Sequence, residues 1–115
     1  MTLQEMAIKD CQPCKDTSPM SEKEATGFLR DLPGWALVKS SIEKEFRFKS
    51  YRAGLDFAFA IGETAEKQDH HPDIVVKWRR VKLSFSTHAI KGLSMNDFVM
   101  AAKSQLEYER LSSKD

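Results

Sequence analysis

Ile74-Val75-Val76-Lys77-Trp78-Arg79-Arg80-Val81-Lys82-Leu83-Ser84-Phe85 holds two alternating apolar patterns of opposite parity. Ile74, Val76 and Trp78 occupy even positions, Val81, Leu83 and Phe85 odd ones, and the change falls at Arg79-Arg80. Side chains alternate across a strand, so one unbroken strand would turn its apolar face into solvent at that point. A hairpin turning at Arg79-Arg80 removes the conflict, and a bulge is the alternative. Opposed residues in such a hairpin have numbers summing to about 159. That places Trp78 beside Val81, Ile74 beside Phe85, and His71 across from His88.

Outward from the hairpin, the chain reads as alternating helices and strands. Ser50 can cap a helix whose positions Leu55, Ala58, Phe59, Gly62 and Ala65 form the stripe expected to pack on a sheet. Phe57 and Ile61 lie off that stripe and point to a helix-to-helix contact between subunits, with cover by long loops as the alternative. Before it, Ile42, Lys44, Phe46 and Phe48 share one face of a strand, and a turn near Ser40-Ser41 links this strand to an extended stretch from Trp35 to Val38. Ser21 and Glu24 make a capping box for a first helix with Ala25, Phe28, Leu29 and Leu32 on one face, stopped by Pro33-Gly34. After the hairpin, Ser94 and Asp97 have cap-like spacing ahead of a last helix that buries Phe98, Val99, Ala102 and Leu106. The order is α-β-β-α-β-β-α, an α+β domain over residues 21–115, with residues 1–20 as a loosely ordered N-terminal arm.

At 115 residues and 41% hydrophobic, the chain fits one core. Its net charge of +1 supplies no basic field for direct nucleic-acid binding. No stretch approaches the ~20 apolar residues of a membrane span, and the expected location is the cytoplasm. Cys11 and Cys14 form a Cys-x-x-Cys pair in a polar segment. Without a second pair or a nearby His it falls short of a zinc site, and without a strand-turn-helix setting it falls short of a redox motif.

All three histidines fall in the window His70, His71 and His88. Imidazole exchanges protons near neutral pH, so this concentration points to acid/base chemistry. Glu66, four residues before His70, ends the preceding helix and can reach the same corner. Pro72 holds His71 extended, so the adjacent imidazoles diverge. A metal site is the competing reading, but divergent histidines and the lack of His-Glu-x-x-His spacing argue against it. Trp78 reads more simply as a core aromatic than as a stacking platform, and Asp97 equally as a helix cap or a site residue.

With Glu66, His70-His71-Pro72, Trp78, His88 and Asp97 in this order and spacing, the chain resembles the pterin-4a-carbinolamine dehydratase family, from about Ser21 to Leu111. The Cys11-x-x-Cys14 arm, Ile90-Lys91-Gly92-Leu93 and Asn96-Asp97-Phe98 are similar to bacterial members. The resemblance implies a four-stranded antiparallel sheet with helices on one face, and a homodimer or homotetramer. It implies a hydro-lyase that removes water from 4a-hydroxytetrahydropterin, the product of aromatic amino acid hydroxylases such as phenylalanine hydroxylase, to give quinonoid dihydropterin, with no metal or organic cofactor. The pterin would be bound by Asp69, His70, His71 and Pro72, by Ser86, Thr87 and His88, and by Trp78. His70 and His88 are the proton-transfer candidates, His71 positions the ring, and Glu66 or Asp69 fixes a tautomer. Which histidine donates stays open. The competing classes are an interaction or regulatory module that keeps the fold, and a metal-dependent hydrolase using the same histidines.

Overall fold

The computed structural model describes residues 1–13 and 18–112. The elements are α1 (Leu3–Ala7), α2 (Glu22–Leu29), β1 (Ala36–Val38), β2 (Ser41–Arg47), α3 (Tyr51–Gln68), β3 (Asp73–Lys77), β4 (Arg80–Phe85) and α4 (Met95–Ser112). A single 3-10 turn, His88–Ile90, lies between β4 and α4. The strands form one antiparallel sheet in the order β1-β2-β4-β3. The expected α+β order is present, with one helix added in front.

Alternation along the strands sets the two faces of the sheet. Ile42 and Phe46 of β2 and Val81, Leu83 and Phe85 of β4 are all buried, because they project to the face that α3 and α4 cover. The opposite face carries Glu43, Glu45, Lys77, Arg80 and Lys82, paired across strands at 3.4–3.5 Å. Such exposed pairs contribute about 0–1 kcal/mol each, so they keep that face soluble more than they hold the sheet together.

The hairpin forms, but two residues away from the expected register. Val76 faces Val81, Ile74 faces Leu83 and Lys77 faces Arg80, so the turn is Trp78-Arg79. Arg79 takes the left-handed conformation there, at φ 61°. Parity is preserved and the buried faces are right, yet Trp78 leaves the strand for the tip, where it is 72% exposed. It is neither a core aromatic nor near the histidines. Arg79 sits 5.1 Å from its ring centroid.

Helix α3 starts at the Ser50 cap, which accepts the Ala53 N–H at 3.1 Å. Its rotation about its axis differs from the sequence reading. Gly54, Phe57, Ile61 and Ala65 face the sheet, while Leu55 and Phe59 point outward. The reason is close approach: a Cβ on Gly54 would stand 3.3 Å from Val81 Cγ2. Glycine lets the helix settle there without displacing Val81, and Phe57 then reaches Phe46, Phe48 and Tyr108 with ring centroids 4.9–5.9 Å apart. Burying Phe57 and Ile61 contributes roughly 1.5–3 kcal/mol each. The subunit contact inferred from these two residues therefore falls, since both are spent on the core.

The arm is also better held than its polarity suggests. Thr2 and Glu5 form a capping box that starts α1, and Met6 is fully buried against the core. Lys103 Nζ donates to the Ala7 carbonyl at 2.7 Å, and Met20 N–H to the Leu93 carbonyl at 2.7 Å. Cys14 lies outside the described residues.

Candidate active site

Three chain reversals meet at one end of the hairpin. The first is the end of α3, where Asp69 turns left-handed at φ 52°. Its N–H donates to the Glu66 carbonyl at 3.4 Å, and the His70 N–H donates to the Ala65 carbonyl at 3.1 Å. This paired closure of a helix C-terminus throws His70 and His71 out of the helix axis in a fixed direction. Asp69 fills the position because a short polar side chain tolerates that backbone conformation.

The second reversal follows β4. Thr87 N–H donates to the Gly92 carbonyl at 2.8 Å, closing a loop that carries the 3-10 turn and leaves His88 exposed at its start. The third is the first turn of α4. Ser94 N–H donates to Asp97 Oδ2 at 2.9 Å, and Ser94 Oγ accepts from the Asn96 N–H at 3.2 Å.

Asp97 joins all three. It is fully buried, accepts from Thr87 Oγ1 at 2.8 Å through Oδ2, and stands 2.7 Å from His70 Nε2 through Oδ1. An ionised carboxylate can only accept, so neutral His70 beside Asp97 Oδ1 carries its proton on Nε2. Nδ1 then carries the lone pair, and it has no partner among the described residues. His71 is tied differently, with Nε2 2.6 Å from Glu66 Oε1 at an exposed rim. The expectation that Glu66 or Asp69 fixes a tautomer thus divides. Glu66 serves His71, Asp97 serves His70, and Asp69 is the helix cap.

A cleft of about 560 Å³ opens over these groups, a size suited to a small bicyclic ligand. Asp69, His70, His71, Pro72, Ser86, Thr87 and His88 line it, and Glu66 acts on it through His71. His71 and His88 share the cleft without facing each other, because the true register puts them two residues out of step. Trp78 is absent from it. Trp78 lies six residues along the strand from Pro72, roughly 20 Å away. Sequence reasoning did not assign Cys11, Gln12, Pro13, Gln68 or Asn96 to the site, and these also line the cleft. Among the described residues no three His, Cys, Asp or Glu side chains converge as a metal ion would require.

A family model described as pterin 4 alpha carbinolamine dehydratase matches residues 18–106. A protein of Nitrosospira multiformis, provisionally named a pterin-4-alpha-carbinolamine dehydratase, is 42% identical over 103 residues, covering 89% of this chain and 91% of its own. One from Rubrobacter xylanophilus with the same provisional name is 44% identical over 103 residues, covering 88% of this chain and 96% of its own. The crystal structure of a transcriptional coactivator/pterin dehydratase from Brucella melitensis superposes with a TM-score of 0.75 at 32% identity, covering 78% of this chain and 98% of that one. The fold with its edge-to-edge hairpins, the cleft at the end of β3 and β4, and these likenesses agree: the chain belongs to the pterin-4-alpha-carbinolamine dehydratase family.

Proposed function

We propose that the protein dehydrates 4a-hydroxytetrahydropterin to quinonoid dihydropterin and water. The observation that carries this reading is the His70 side chain, 10% exposed, held by a buried carboxylate at the wall of a cleft that His88 also lines. The reaction breaks the C4a–O bond and forms the C4a=N5 bond. Hydroxide is a poor leaving group unless protonated, and the N5 lone pair is free to form the new bond only as N5 loses its proton.

Two proton carriers meet that need. His70 presents the Nδ1 lone pair and takes the N5 proton, and Asp97 stabilises the imidazolium that forms. His88, exposed and able to recharge from solvent, gives a proton to the departing hydroxyl. Water leaves, and proton exchange with solvent returns both imidazoles to their starting states. His71, oriented by Glu66, and the Asp69 and Ser86-Thr87 edges would hold the pterin ring. The substrate class matches the product released by aromatic amino acid hydroxylases, phenylalanine hydroxylase among them.

A second copy of the chain is the proposed partner. Tyr51, Leu55 and Phe59 recur every four residues on the outward face of α3, at 48%, 38% and 71% exposure. Residues at that spacing form one stripe, and covering it removes apolar surface from water. No helix among the described residues is long and apolar enough to cross a membrane.

Stopped-flow dehydration of chemically generated 4a-hydroxytetrahydropterin tests the function, with acceleration over buffer expected without any addition. Exhaustive chelation should leave the rate unchanged. Loss of activity on chelation with recovery on adding zinc would replace the proton-only mechanism.

A further inference from the structure

The N-terminal segment reaches the cleft by a route the reaction does not by itself require. Gln12 is held to Asn96 by a reciprocal pair: its N–H donates to Asn96 Oδ1 at 2.9 Å, and Asn96 Nδ2 donates to its carbonyl at 2.6 Å. An asparagine side chain used this way imitates one rung of a β-ladder. One residue earlier, Cys11 N–H donates to Gln68 Oε1 at 2.7 Å, and Gln68 Nε2 donates to Asp10 Oδ1 at 3.0 Å. Farther back, Met6 is buried in the core and Ala7 accepts from Lys103, so the segment is anchored at both ends.

The anchor points are the informative feature. Gln68 precedes the Asp69-His70-His71 corner by one residue, and Asn96 precedes Asp97, the carboxylate that orients His70. Both also line the cleft, together with Cys11, Gln12 and Pro13. The segment is thus fixed to the two reversals that set the histidine geometry, and it lines the same cleft as His70 and His88. The matched family region, residues 18–106, begins after it.

We propose that Cys11, Gln12 and Pro13 form a substrate-contacting wall of the site, with Gln68 and Asn96 as positioning residues that hold this wall against the ligand. The wall contributes to binding of the reduced pterin and not to proton transfer. This inference rests on the proposed pterin function, and its test separates the two.

The first measurement is alkylation of Cys11 by iodoacetamide in a Cys14→Ser chain, which leaves Cys11 as the sole thiol. Saturation with a non-reacting reduced pterin, 7,8-dihydropterin, should slow the reaction about fivefold or more by direct occlusion. An unchanged rate under saturation would overturn the wall. The second is pterin affinity by calorimetry. Gln12→Pro removes the N–H that Asn96 accepts without altering Asn96, while Gln12→Ala keeps it. Gln12→Pro and Gln68→Ala should each weaken binding about three- to tenfold, the value of one or two hydrogen bonds in positioning, and Gln12→Pro should be weaker than Gln12→Ala. Single-turnover dehydration at saturating substrate should stay near wild type in both, so KM moves and kcat does not. Equal affinities in all variants would refute the inference. A wild-type chain that binds dihydropterin with Cys11 protected but never dehydrates the carbinolamine would refute the function and leave the wall. A chain that does not bind dihydropterin would remove both.

Discussion

Replacing Asp97 by Asn tests the centre of the mechanism, because the substitution conserves shape and reverses one hydrogen bond. Asp97 is fully buried and receives three donors: Ser94 N–H at 2.9 Å, Thr87 Oγ1 at 2.8 Å and His70 Nε2 at 2.7 Å. Asn can keep its oxygen toward Ser94 and Thr87, which preserves the cap of α4 and the loop of His88. Its amide NH₂ then faces His70 Nε2, which must accept, and the ring proton moves to Nδ1. The lone pair assigned to N5 is lost while the fold remains. Removing one positioned base costs about 10²- to 10⁴-fold, or roughly 3–5 kcal/mol of transition-state stabilisation. Asp97→Ala differs in kind, since it leaves buried donors without an acceptor. Breaking a buried charged network costs about 3–5 kcal/mol of stability against a total of about 5–15. Single-turnover stopped-flow dehydration beside urea unfolding separates the two variants. Asn at this position turning over within about threefold of wild type, in a folded chain, would show that the His70 tautomer does not matter and that His70 is not the base.

His88→Ala should lower single-turnover dehydration by about 10² to 10⁴ with pterin affinity retained, whereas His71→Ala should mainly weaken binding; both are read by pairing rate with calorimetry, and wild-type rates in His88→Ala would remove its role as acid. Phe59→Glu on the outward face of α3 should convert an oligomer to monomer in light scattering while the protomer stays folded, and an unchanged mass would dismiss that face as the contact. Phe57→Ala, one face inward, should instead destabilise by about 3–5 kcal/mol in urea unfolding. Gly54→Ala should gain up to about 1 kcal/mol of helix propensity but lose about 1–3 to crowding against Val81, for a net drop in the unfolding midpoint; a net rise would mean the sheet can yield.

Strand faces were legible in the sequence because alternation reports parity directly, and Ile42, Phe46, Val81, Leu83 and Phe85 are buried as their positions require. Parity, however, fixes a hairpin only to within a step of two residues. Nothing in Lys77-Trp78-Arg79-Arg80 marks the turn, since Arg79 takes a left-handed conformation that glycine or asparagine would usually advertise. The rotation of α3 was illegible for a related reason. Its apolar residues cover two faces, and the face that won is chosen by Gly54, a residue whose contribution is the space it leaves free. The arm did carry a signal, the Thr2-x-x-Glu5 capping box, but Met6 alone offers no periodicity to follow.

The three histidines line one cleft despite the register error because they do not depend on strand pairing for their direction. His70 and His71 leave a helix C-terminus closed by backbone hydrogen bonds, and His88 sits in a loop closed between Thr87 and Gly92. Each is aimed by its own local reversal, and Asp97 ties the reversals together with side-chain bonds shorter than 3 Å. A shift of two residues along the hairpin changes which strand residues face each other, yet it leaves the segments before β3 and after β4 at the same end of the sheet. Asp97 escaped assignment because a helix cap and a histidine anchor leave the same trace in a sequence, an acid three residues after a serine. In the folded chain the two roles belong to different oxygens of one carboxylate, Oδ2 capping α4 and Oδ1 holding His70. The start of the last helix and the orientation of the proposed base are therefore set by a single residue.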